Sequence, residues 1–217
     1  MRARTDRGRT SPWTTGELRI LDRLRSPASI QAFLDDIPYS DDPIYRCPRS
    51  VMRDRKAHCM DGAVFAAAAL DHIGLAPKLV DMRAVRDDDH VIAIYEVRGR
   101  LGAVAKSNFT TLRFREPVYR SLRELVMSFF DFYYNVAAEK TLRAYSVPLA
   151  AASLAELEWR TSDEAMEVIA ARLDRLRHVP LLTAAMVRRL GPVDRRTYEA
   201  GLAGANPAGL YRPPAKG

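Results

Sequence analysis

The sequence predicts an α+β protein in which helices pack on a small antiparallel sheet and more helices follow at the C-terminal end. Three observations carry this. An alanine-rich apolar run at 63–73 closes on Gly74 and reads as one buried helix. An alternating, β-branched stretch at 90–97 meets a turn at Arg98-Gly99-Arg100 and a second apolar run, the pattern of a hairpin. Beyond about residue 148 the composition shifts to helix formers, with Ser153/Glu156 and Thr161/Glu164 at the spacing of N-terminal capping boxes.

The elements follow in order. Residues 1–12 form a basic, polar tail that is expected to be disordered. Thr14 and Glu17 are spaced as a capping box, and Leu18, Ile20, Leu21 and Leu24 recur at helical intervals. Ser26-Pro27 starts a second helix whose buried face is Ile30, Phe33, Leu34 and Ile37. Residues 38–48 are turn-rich. A first strand is expected over 75–85, a charged loop at Asp87-Asp88-Asp89, a second strand over 90–97 and a third over 101–106. A mixed segment at 110–118 places Leu112 and Phe114 inward. Ser121 and Glu124 open a helix that carries the aromatic stripe through Tyr134, read as core. Residues 142–148 form a link, and Met166, Ile169, Ala170 and Leu173 mark a helix beyond it. A short helix is expected over 181–190, and from Gly201 the Gly, Pro and Ala-rich chain reads as loose. The domain reading is therefore 1–12 tail, 13–147 main domain, 148–200 helical extension and 201–217 flexible tail.

Composition narrows the function. A net charge of +7 invites a nucleic-acid partner, but acids interrupt the basic residues almost everywhere, so none is predicted. No apolar run approaches the roughly 20 residues of a membrane helix. No signal-peptide core follows the basic N-terminus, and two cysteines fit a reducing compartment, so the expectation is a cytoplasmic protein with no membrane partner and no Cys47–Cys59 disulfide.

The chemistry concentrates between His58 and Asn108. Cys59 opens the alanine-rich helix, where free amides favour negative charge. Lys56, Arg53 and Arg55 would lower its thiol pKa further if they lie close. His90 begins a strand and is the candidate proton carrier. Asn108 lies past the next strand, where a polar side chain would hold the imidazole in one tautomer. Each residue has a plainer reading: a buried structural thiol, a strand-edge histidine satisfied by aspartates, a turn asparagine. Asp88 or Asp89 is an alternative orienter for His90, Asp89 the poorer because neighbours on a strand point to opposite faces. His58, Asp61, Lys106 and Ser107 are candidate site-lining residues. A metal site built from Cys47, His58, Cys59 and His90 lacks ligand spacing, so no metal and no cofactor are predicted.

The order Cys59, His90, Asn108, at intervals of 31 and 18 residues, resembles the transglutaminase-like superfamily of papain-like cysteine enzymes. There the cysteine opens a helix, the histidine follows on a strand and an aspartate lies on the strand after it. The resemblance covers roughly residues 53–114, and it implies a papain-like fold with Cys59 as nucleophile, His90 as general base and acid, and Asn108 as orienting residue. Asn replaces the usual Asp, and the tryptophans that often accompany the histidine and acid strands are absent, the chain having only Trp13 and Trp159. The implied activity is a thiol-dependent hydrolase or acyl transferase acting on an amide or ester carbonyl of a peptide, protein or small molecule. The alternative is a binding module on the same fold without the chemistry.

Overall fold

A computed structural model describes residues 11–212. The basic tail therefore lies almost wholly outside the described residues. The chain order is α1 (Thr15–Leu21), α2 (Pro27–Asp35), α3 (Pro48–Asp54), α4 (Cys59–His72), β1 (Lys78–Ala84), β2 (His90–Val97), β3 (Arg100–Val104), β4 (Arg115–Tyr119) and α5 (Leu122–Phe130). Then come β5 (Leu142–Ser146), β6 (Leu149–Ala150), a 3-10 turn (Ala151–Leu157), α6 (Glu164–Arg175), β7 (His178–Pro180), α7 (Ala184–Val187), α8 (Arg195–Gly201) and a last 3-10 turn (Pro207–Gly209).

The sheet runs β4-β3-β2-β1-β5-β7, with β6 also paired to β1, and every pairing is antiparallel. Its two faces separate cleanly by residue parity. Leu79, Val91, Ala93, Tyr95 and Val104 join α2, α3, α4 and α6 in one core. Val80, Met82, Ile92, Ile94 and Ala103 join α5 in the other. Helix α4 is buried from Met60 to Leu70, and its five alanines let sheet and helices approach it from all sides. At Gly62 the approach is so close that an added Cβ would collide with the Lys106 side chain.

The local signals work largely as expected. Thr14 and Ser26 cap α1 and α2, each in a reciprocal box. Gly74, at φ +84°, ends α4: its N–H donates to the Asp71 carbonyl and the Leu75 N–H to that of Leu70, a Schellman closure. The β2–β3 hairpin turns at Arg98-Gly99, both at positive φ.

Several expectations change. Residues 48–54 form α3, with Pro48 at its first turn and Arg55 left-handed at its end. The supposed link at 142–148 is β5, held in the sheet by β1 and β7. The C-terminal part carries helices α6–α8 but also gives β6 and β7 to the same sheet. The aromatic helix stops at Phe130, so Tyr133 and Tyr134 sit buried in the turn after it. The helix expected over 181–190 shortens to α7. Ser153 lies inside a 3-10 turn rather than capping a helix, and α6 follows Asp163 rather than Thr161. Residues 201–212 are not loose throughout: Gly201, Asn206 and Gly209 are seated against the body of the fold.

Candidate functional site

Cys59 is the first residue of α4 because His58 caps it. The His58 Nδ1 accepts from the Met60 N–H at 3.2 Å and faces the Asp61 N–H at 3.5 Å, while Asp61 accepts from the His58 N–H at 3.2 Å. This is a capping box with histidine in the usual Ser or Thr place. Asp61 also accepts from the Arg46 N–H at 2.8 Å and is fully buried. It therefore ties the 46 loop to the helix start and is not among the residues that line the cavities at Cys59. Burial pushes its carboxyl up to about 7, and burial pushes the His58 ring down to about 4.

The half-buried Cys59 thiol opens onto a cleft of about 440 Å³ walled by Tyr39, Tyr45, His58, Asp88 and Asp174. It also borders a smaller cavity of about 50 Å³, shared with His90, Ser107, Asn108 and Tyr133. Burial, with the charges of Asp88 and Asp61 beside it, pushes the thiol up to about 12. The cations expected to lower it are engaged elsewhere: Lys56 with Asp42 at 2.6 Å, Arg53 with Asp54 at 2.7 Å, Arg55 with Asp36 at 2.8 Å. Of the helix-start amides, those of Met60 and Asp61 face His58 Nδ1, and the lowering effect of the Val91 and Met60 amides on the thiol is outweighed by burial. The thiol itself lies 3.8 Å from the Asp89 carbonyl oxygen. Resting Cys59 is thus a neutral thiol, not a thiolate.

His90 points to the α5 face, in parity with Ile92 and Ile94, and is buried. Its Nε2 lies 2.9 Å from the Leu112 carbonyl oxygen and its ring meets Tyr133 edge-on. A carbonyl only accepts, so Nε2 carries the proton. Burial holds the ring pKa down to about 4, so the ring is neutral and Nδ1 keeps its lone pair. The orienting partner expected at Asn108 is therefore the Leu112 carbonyl. Asn108 is engaged elsewhere: its Oδ1 accepts from the Asn206 N–H at 2.7 Å and its Nδ2 donates to the Asn206 carbonyl at 2.8 Å.

The remaining expectations divide. Ser107 borders the small cavity, its hydroxyl accepting from the Phe109 N–H. Lys106 does not line the site. It is buried, and its Nζ donates to the carbonyls of Leu34 (2.7 Å) and Ile37 (2.5 Å) at the end of α2. Asp89 accepts from the Ala84 N–H at 2.7 Å, which fixes the turn into β2. Cys47 is a second free thiol, buried at the start of α3.

Two parts of the site escaped sequence reading. One is Tyr39, from the turn-rich 38–48 segment. The other is a buried pair on the α4 side of the sheet, where His178 Nε2 lies 2.9 Å from Asp81 Oδ2 and its Nδ1 2.8 Å from the Leu176 carbonyl oxygen. Both ring nitrogens of His178 therefore face oxygen atoms. An aspartate inside the apolar run of β1 is the signal that could have found the pair. Among the described residues, no helix is long and apolar enough to cross a membrane, and no group of three or more His, Cys, Asp or Glu is placed to hold a metal ion. No protein-family model matches the chain, and a search of curated proteins finds no significant match.

Proposed function

We propose that the protein is a thiol-dependent hydrolase or acyl transferase acting on an amide or ester carbonyl, with Cys59 as nucleophile and His90 as proton carrier on a papain-like arrangement. The observation that supports it best is the cavity shared by Cys59 and a His90 ring whose tautomer is set by Leu112. Because thiol and imidazole both rest neutral, attack and proton transfer are concerted. Sγ bonds to the carbonyl carbon as its proton passes to His90 Nδ1, which then protonates the leaving amine or alcohol and leaves a thioester. Water or an amine, deprotonated by the same nitrogen, releases the acyl group. The Cys59 N–H, at the start of α4, would serve the oxyanion. The protein would act in the cytoplasm, on a peptide, protein or small amide or ester.

A second reading is a binding module without catalysis. The elevated thiol pKa and the carboxylates around Cys59 favour it. An activated ester separates the two. Incubation with p-nitrophenyl acetate followed by peptide mass mapping is expected to place the acetyl group on Cys59. Acylation should vanish in Cys59→Ser and slow at least 100-fold, about the low end of general-base contributions, in His90→Ala. Absence of acyl-Cys59, or equal acylation in His90→Ala, leaves the binding module as the account.

A further inference from the structure

Residues 206–211 lie across both cavities that Cys59 borders. Gly209 and Tyr211 line the two of them, and Ala208 and Leu210 line the larger. The segment enters extended at Asn206 (φ −77°, ψ 112°), makes the 3-10 turn Pro207–Gly209 and leaves extended at Leu210 (φ −94°, ψ 123°). Its anchorage is of one kind. Asn108 takes both the N–H and the C=O of Asn206, as a paired strand would. The Asn206 side chain donates to the Tyr39 carbonyl at 3.2 Å. Gly209 sits so close to the Tyr39 ring that a Cβ there would come within 2.9 and 3.0 Å of ring carbons. The preceding helix α8 is held separately, by Thr110 on the Gly201 carbonyl and Tyr134 on that of Thr197. The segment therefore has its own seat, independent of the helix that delivers it.

We infer that the cavities beside Cys59 form a peptide-binding groove in which Asn108 grips the main chain of one residue, Tyr39 admits a glycine, and residues 206–211 of the same chain hold the place of an external peptide. A side-chain amide that bonds both main-chain groups of one residue recognises backbone and not sequence. The same device appears within the fold, where Gln31 accepts from the Ala105 N–H and donates to its carbonyl. Asn108 is thus a substrate-positioning residue rather than the orienter of His90. Selectivity falls on the position against Tyr39, where only a residue without a side chain fits. The inference draws its substrate class, a peptide rather than a small ester, from the proposed acyl chemistry at Cys59. The groove itself binds whether or not that chemistry occurs.

Gly209→Val tests it, because the added side chain meets Tyr39 and unseats the segment. Iodoacetamide labelling of Cys59 in the full chain, located by mass mapping apart from Cys47, is expected to accelerate roughly tenfold or more, the inverse of the fraction left open in the wild type. An acetylated, amidated synthetic peptide of residues 205–212 is expected to bind this variant roughly tenfold more tightly than wild type by calorimetry, and to restore slow labelling. The same peptide with valine in place of its glycine should do neither. If Gly209→Val fails to fold by circular dichroism, Asn108→Ala releases the segment from the other side: labelling should rise while the peptide stays unbound. Wild-type labelling in the folded variant, or a peptide that binds neither protein, overturns the inference. Peptide binding without any acyl-Cys59 would keep the groove and remove only the proposed catalysis.

Discussion

The Nε2 of His90 lies 2.9 Å from the carbonyl oxygen of Leu112, a residue 22 positions away. That contact sets the tautomer of the imidazole, and burial makes the ring a pH-dependent element of stability. The folded ring holds its proton only below about pH 4, because burial disfavours the charged form. An unfolded histidine takes up a proton near pH 6.5. Between these values the unfolded chain binds more protons, so stability falls as the pH falls, by about 3 kcal/mol over the window. Urea unfolding from pH 7 to 4 should show a shallower loss in His90→Gln than in wild type. Parallel curves would contradict a neutral, buried His90.

Cys59 should respond to pH in the opposite range. With its thiol pushed up to about 12, the thiolate fraction grows roughly tenfold per pH unit and does not saturate below pH 10. Iodoacetamide labelling of native protein between pH 7 and 10 should therefore climb without a plateau. A plateau with a midpoint below the roughly 8.5 of a free thiol would mean a preformed thiolate–imidazolium pair.

The packing of α4 against Lys106 predicts a sharp effect at Gly62. Gly62→Ala places a methyl group onto the Lys106 side chain, and both sides of the contact are fixed. Overpacking of this kind costs about 1–3 kcal/mol, more than the helix propensity gained. Chemical denaturation should show a lower midpoint with unchanged slope.

Lys106→Met should act on the fold and not on the thiol. It leaves the Leu34 and Ile37 carbonyls without their ammonium donor, at a cost of about 1–3 kcal/mol. Labelling of Cys59 under native conditions should stay at the wild-type rate. A large change there would place Lys106 in the site after all.

What could be read from the chain alone follows how far each signal reaches. The Gly74 stop of α4 acts within a few residues, and the alternation of β2 is local, so both were legible; the cap of α4 was not, because histidine stands in the usual Ser or Thr place. Strand parity also lies in the sequence: His90 shares its face with Ile92 and Ile94, which already sets it apart from Val91 and the α4 side. The partners of the polar side chains were not legible. Lys106 answers carbonyls 72 and 69 residues away, and Asn108 answers a main chain 98 residues on. No local pattern separates an amide that orients a histidine from one that grips a backbone. The strand at 142–146 passed for a link because its five residues show no clean alternation of burial, and only β1 and β7 on either side make it a strand.

The distance along the chain between Asn206 and its partners has a consequence in time. Asn206 reaches back 98 residues to Asn108 and 167 residues to Tyr39. In a chain growing from its N-terminus, α4 and its thiol are therefore made before residues 206–211. Contacts of such sequence separation are also among the slowest to close during refolding. In refolding, Cys59 is therefore expected to stay uncovered until the segment seats. Exposure of this thiol is then a clock for the last step of folding, readable by pulsed alkylation.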